Sequence, residues 1–200
     1  MTAGIILQAR VTSKRFPNKC LATLNGKPVI DWILEACDKS GLPICVAIPQ
    51  NKTNDALENY LALRFKTTKF KSGQPTLFRG SEEDVTARYI GANNAMKFDP
   101  IVRICSDCPY LLPDDIKLAL EIFEERNYFT WLNHVQVFSA AELQYANQND
   151  WSVDSRQHVL GRFGHDTVEF PEDMDRFNTI SDEDPTLRVR RELWKANLLK

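Results

Sequence analysis

Four cations crowd one short stretch near the start of the chain, "QARVTSKRFPNK", which carries Arg10, Lys14, Arg15 and Lys19. Guanidinium groups offer forked donors to phosphate oxygens, and lysine adds a compact charge. With the local backbone amides, Arg10, Arg15 and Lys19 could enclose a phosphate chain. The competing reading of the same spacing is a solvated basic loop. Neither a Walker-type G-K-S/T nor a G-x-G-x-x-G accompanies it, so the two commonest nucleotide loops are absent. A second stretch, "CSDCP", sets Asp107 between Cys105 and Cys108. Read alone, the Asp107 carboxylate caps a helix or a turn. The cysteine pair has C-x-x-C spacing, but no second C-x-x-C or H-x-x-x-H follows. Buried, inert thiols are therefore expected in preference to a zinc or redox site.

These residues need elements to hold them. "GIILQA" has the length and apolarity of a buried strand, and the cationic stretch follows it directly. "PVIDWILEACDKS" has helical spacing, with Pro28 at its first position and Gly41 at its end. "ICVAIP" reads as a strand, and "TNDALENYLALRF" as a helix capped by Thr53 or Asn54. "PTLFRG" reads as a strand, and "SEEDVTARYIGANNAM" as a helix opened by Ser81. "PIVRIC" and "PDDIKLALEIFEERN" repeat the pattern, then "HVQVFS" alternates as a strand and "AAELQYANQ" as a helix. The cadence predicts a single α/β domain over residues 1–200, a mostly parallel sheet flanked by helices. In such a sheet, ligands bind beyond the carboxyl ends of the strands, where the cationic stretch falls.

Composition narrows the partners. A chain of 200 residues with net charge −2 has no global basic field for nucleic acid. No apolar run approaches the roughly 20 residues of a membrane span. "MTAG" lacks the flank of a signal peptide, and five scattered cysteines suit reduced thiols, so a cytoplasmic protein is expected.

The motifs together resemble a known family. "QARVTSKRFPNK", "LNGKPVIDWI", "FRGSEEDVTARY" and "VRICSDCPYLLPDDI" are similar, in order, to signatures of the SpsF-like cytidylyltransferases, relatives of the acylneuraminate and Kdo cytidylyltransferases. The resemblance covers about the first 115 residues and implies a Rossmann-like fold of the nucleotide-diphospho-sugar transferase type. It implies that residues 1–115 bind CTP and that 116–200 form a divergent acceptor half. By resemblance, Gln8, Ala9, Arg10, Ser13, Arg15, Lys19 and Arg103 contact the nucleotide, and Asp107 holds Mg2+. Arg103 could alternatively pair with Glu83 or Asp84. The family's second metal carboxylate aligns with Asp182 in one register and with Ser181 in the other.

The acceptor half departs from the pattern. His134 and Gln136 stand where the family carries acids, while Arg156 and His158, in "SRQHV", keep their motif positions. The resemblance makes these four the acceptor-binding candidates, with His158 either a general base or a structural histidine. It implies CMP transfer from CTP to a sugar, acidic in the family, within polysaccharide biosynthesis, and it admits a homodimer. The alternative function is a non-catalytic module that binds nucleotide or sugar.

Overall fold

The computed structural model describes residues 2–13, 16–132, 134–149 and 156. Strand β1 (Thr2–Gln8) is central and buries Ile5, Ile6 and Leu7 completely, as a strand covered on both faces must. A small hairpin, β2 (Thr23–Leu24) and β3 (Lys27–Pro28), follows the cationic loop. Its turn residues Asn25 and Gly26 have φ of 49° and 81°, the left-handed pair that an Asn-Gly hairpin requires.

Helix α1 (Val29–Ser40) leads to β4 (Ile44–Pro49), α2 (Asp55–Thr67) to β5 (Thr76–Gly80), and α3 (Val85–Met96) to β6 (Phe98–Cys105). Helix α4 (Pro113–Arg126), β7 (Thr130–Leu132), β8 (Val135–Phe138) and α5 (Ala140–Asn149) follow. The sheet runs β5-β4-β1-β6-β8-β7. β4, β5 and β6 join β1 in a parallel block, while β8 pairs antiparallel with β6 and with β7. The predicted mostly parallel α/β sheet is the architecture found.

Side chains alternate between two cores. Ile5, Leu7, Val102 and Ile104 face α1, α2 and α4 through Ile33, Leu34, Leu61 and Ile116. Ile6, Ala47, Ile101 and Phe138 face α3 and α5 through Val85, Tyr89, Ala92 and Leu143. Close approach on this second face depends on small residues. A Cβ on Gly91 of α3 would lie 2.5 Å from Phe78 Cζ, so only glycine admits the ring there.

The helix ends follow most of the local sequence signals and depart from them at two starts. Gly41 ends α1 in the left-handed conformation (φ 85°), as its position suggests. Pro28 instead precedes α1 as its cap residue. Ser81 does not open α3: the helix starts at Val85, and Asp84 caps it by accepting from Ala87 N at 2.7 Å. Ser81 Oγ accepts from Asp84 N at 3.0 Å and shapes the preceding turn.

Candidate active site

The chain leaves β1 on one side for β4 and β5, then returns to its other side as β6. A crevice beyond the carboxyl ends of β1 and β6 follows from that reversal of strand order. Ser106 N donates to Gln8 O at 2.9 Å, which holds the two strand ends together at its floor.

The cationic loop is tethered over this crevice. Ala9 N donates to Ala47 O at 3.2 Å, and Asn18 N closes the neck on Val11 O at 2.9 Å. Asn18 takes a left-handed φ of 59°, and the short 3-10 helix Lys19–Leu21 then buries Cys20. The decisive anchor is Asn54. Its position before α2 is where a cap was expected, yet its side chain makes no capping bond. The fully buried carboxamide instead accepts from Val11 N at 3.0 Å, across the sheet edge. Asn54→Ala strands that amide and is expected to cost about 1–3 kcal/mol, read as a lower urea midpoint. Thr12 Oγ1 donates to Glu82, joining the loop to the turn before α3.

Lys19 Nζ pairs with Asp107, the carboxylate just past β6. Both side chains are mostly withdrawn from solvent, so the loop cation and the strand-end acid that the sequence singled out meet in one place. Ser13 sits on the same loop, its hydroxyl accepting from Phe16 N at 3.4 Å. Arg10 is half-buried, and its carbonyl accepts from Cys20 Sγ at 3.5 Å.

Behind the crevice lies a buried polar row that crosses β1, β6 and β8. Arg103 faces Gln136 in the β6–β8 register and donates from Nη1 to Gln136 Oε1 at 2.5 Å. Its Nη2 reaches Gln8 Oε1 at 3.3 Å, and its guanidinium lies 5.8 Å from the Tyr89 ring centroid. Neither Glu83 nor Asp84, the alternative acid partners for Arg103, is hydrogen-bonded to it: Asp84 takes Arg156 Nε at 2.6 Å. Arg156 also donates from Nη2 to Asn147 Oδ1 at 3.0 Å, so it ties α3 to α5. Burial lowers the pKa of His134, and the Asp107 charge partly opposes that shift. His134 is therefore within the electrostatic reach of Asp107. Arg15, His158, Ser181 and Asp182 lie outside the described residues.

The donor chemistry at Asp107 fits a hard cation such as Mg2+, which uses one or two carboxylates and completes its shell with phosphate oxygens and water. Among the described residues, no three His, Cys, Asp or Glu side chains gather into a metal-binding group. Burial raises the pKa of both Cys105 and Cys108, which keeps these thiols protonated at neutral pH. Burial likewise pushes Cys20 up to about 11 and Cys45 up to about 12. A thiol at 11 is roughly 0.1 % thiolate at pH 8, against about a quarter for a free cysteine. Disulfide reagents at pH 8 are thus expected to label the native protein far more slowly than the urea-unfolded chain.

Sequence could not reveal Asn54, Thr12 or Glu82 as loop anchors, because each partner lies across the fold. The motif "FRGSEEDVTARY" did contain Glu82 and Arg88, unassigned.

Comparison with known proteins bears on the family and the fold. Residues 4–168 match the family model described as Cytidylyltransferase. The chain is 26% identical over 149 residues to the spore coat polysaccharide biosynthesis protein SpsF of Bacillus subtilis, covering 71% of this chain and 58% of that protein. It is 26% identical over 171 residues to an 8-amino-3,8-dideoxy-manno-octulosonate cytidylyltransferase of Shewanella, covering 83% and 62%. The chain thus spans about three-fifths of the length of these curated relatives. The solved structure of a cytidylyltransferase from Leptospira borgpetersenii superposes with a TM-score of 0.67 at 22% identity, covering 81% of this chain and 70% of that one. That likeness supports the fold, and the family match carries the assignment. The chain belongs to the Cytidylyltransferase family.

Proposed function

We propose that this chain transfers CMP from CTP to a sugar acceptor, with release of pyrophosphate. The observation that carries the reading is the meeting of Lys19 and Asp107 at the strand-order reversal, on a loop tethered by Asn54. The triphosphate lies along residues 9–20, where Arg10, Ser13, Lys19 and the backbone amides hold its oxygens, with Arg15 contributing from outside the described residues. Gln8 and Ala9 line the β1 end beneath it. An acceptor oxygen forms a bond to the α-phosphorus as the bond to the bridging oxygen breaks, and pyrophosphate departs. Positioning and neutralisation of developing charge supply the rate, and no protein nucleophile is needed. Mg2+, when bound, supplies further neutralisation of the phosphates. Asp107 is its ligand, with Asp182 the second candidate.

Residues 1–115 serve the nucleotide in this reading and 116–200 the acceptor. The relatives' names point to an acidic sugar and to polysaccharide synthesis. His134 and Gln136, neutral where the family has acids, alter the acceptor side. No helix among the described residues is long and apolar enough to cross a membrane.

The test is pyrophosphate release from CTP and Mg2+ with a panel of acidic and neutral sugars, alongside CTP-dependent melting. Turnover with an acidic sugar supports the reading. CTP binding without turnover on any acceptor, indifferent to Mg2+, points to a binding module. Absence of CTP binding overturns both.

A further inference from the structure

Arg88, on the first turns of α3, belongs to none of the roles above. Its side chain is fully buried, and Nη1 donates to Ser81 O. Its Nε and Nη2 are buried without a partner. Space for its stem is reserved by Gly80, where a Cβ would lie 3.0 Å from Arg88 Cγ and 3.3 Å from its Cα. Burial lowers its pKa; Arg10 and Arg103 add to that fall, while Tyr89 and Glu82 oppose it. Arg88 therefore lies within electrostatic reach of a cation of the loop, of the cation of the buried polar row and of the Glu82 carboxylate.

Arg103 is buried too and short of hydrogen-bond partners, although Cys105, Tyr89 and Asp107 support its charge against the cost of burial. Its side-chain hydrogen bonds go to the neutral amides of Gln136 and Gln8, and its Nε is buried without a partner. Glu82, the acid in reach of Arg88, spends one oxygen on Thr12 and leaves the other buried and unbonded. Two buried guanidinium groups thus lie within electrostatic reach of each other, and no carboxylate is hydrogen-bonded to either among the described residues. An unpaired buried charge is among the costliest features a fold can carry. Its natural complement is a planar or tetrahedral oxyanion taken by forked N–H groups.

We infer that Arg88 and Arg103, with Arg10 at the rim, form an anion subsite beneath the crevice that accepts a phosphoryl or carboxylate group of a bound substrate. The source of the anion rests on the proposed CMP transfer: either the triphosphate or the carboxylate of an acidic sugar supplies it. The subsite itself rests on the buried, unpartnered donors. Gln136 contributes by being neutral, because an acid in its place would neutralise Arg103 from within the protein.

The experiment compares the full chain with Arg88→Met and Arg88→Lys. Titration calorimetry with CTP, CMP, inorganic pyrophosphate and N-acetylneuraminate is read beside ligand-free melting. Arg88→Met is expected to melt no lower than the parent, since an unpaired buried charge is removed, and to bind the anion at least about 10-fold more weakly. Arg88→Lys keeps the charge without the fork and falls between. Weakening of CTP and pyrophosphate but not CMP assigns the terminal phosphoryl groups. Weakening of CTP and CMP but not pyrophosphate assigns the α-phosphoryl group. Weakening of the sugar acid alone assigns the acceptor carboxylate. Binding of pyrophosphate or sugar acid through Arg88, without any CTP binding, upholds the subsite and removes the CTP reading. A folded Arg88→Met that binds every probe within about twofold of the parent overturns the subsite, as does a parent that binds none. Should Arg88→Met not fold, unchanged affinities in Arg88→Lys overturn it instead.

Discussion

Asp107→Asn is expected to lower kcat/KM for CTP by about 1,000-fold or more, close to 4 kcal/mol of lost transition-state stabilisation. The substitution keeps the side chain's size and removes its charge. The partner of Lys19 at the end of β6 is lost, together with the carboxylate proposed to face Mg2+. Stability is expected to move much less. The two side chains retain 15% and 21% exposure, so screening keeps the pair's worth near or below about 1 kcal/mol. Steady-state kinetics and a thermal melt on the same preparation separate these effects. A rate loss matched by an equal loss of folded protein would show Asp107 to be a structural residue.

Tyr89→Ala is expected to cost about 3–5 kcal/mol of stability and to lower the melting temperature by roughly 10 °C. The ring is completely buried on the second core face, in one cluster with Ile6, Ala47 and Phe138. Its hydroxyl donates to Ile6 O at 3.2 Å, and its face lies under the Arg103 guanidinium. Removing the ring leaves a cavity and withdraws support from Arg103 at once. Tyr89→Phe keeps the ring and removes only the hydroxyl bond, at about 1 kcal/mol. A calorimetric melt of the two variants checks both values. Equal destabilisation would shift the weight from packing to the hydroxyl.

The parallel block was legible because each strand is a short apolar run bounded by polar turns. "ICVAIP" coincides with β4 at both ends, and the fully buried pattern of that strand is the reason. β7 was not read, since Thr130–Leu132 is too short to show a period. The hairpin around Asn25–Gly26 was missed although its turn dipeptide was in plain view, because each of its strands has two residues. Helix α3 was begun at Ser81, where the serine and the acids that follow imitate a capping signal. Asp84, the true cap, also follows that pattern.

At the site, residue types marked Lys19 and Asp107, and the topology brings them together across 88 positions of sequence. The sequence offers Thr53 or Asn54 as a local cap, because sequence distance hides a bond from Val11 to Asn54 that forms only when α2 and the loop pack against each other. Charge alone offers Arg103 an acidic partner as the alternative to a nucleotide contact, whereas cross-strand register delivers Gln136. Partners set by register cannot be found from periodicity. They follow from pairing of strands that are distant in the chain.

Hydrogen–deuterium exchange of the full chain with and without CTP and Mg2+ tests most directly that the crevice between β1 and β6 is the nucleotide site. The account predicts slowed exchange in residues 9–13 and 16–20, in 80–88 and in 103–108, with the slowing lost in Asp107→Asn. Unchanged exchange in those segments at saturating CTP would contradict it. So would protection confined to the distant groove between α2 and β5, lined by Phe65, Lys66, Lys69 and Leu77.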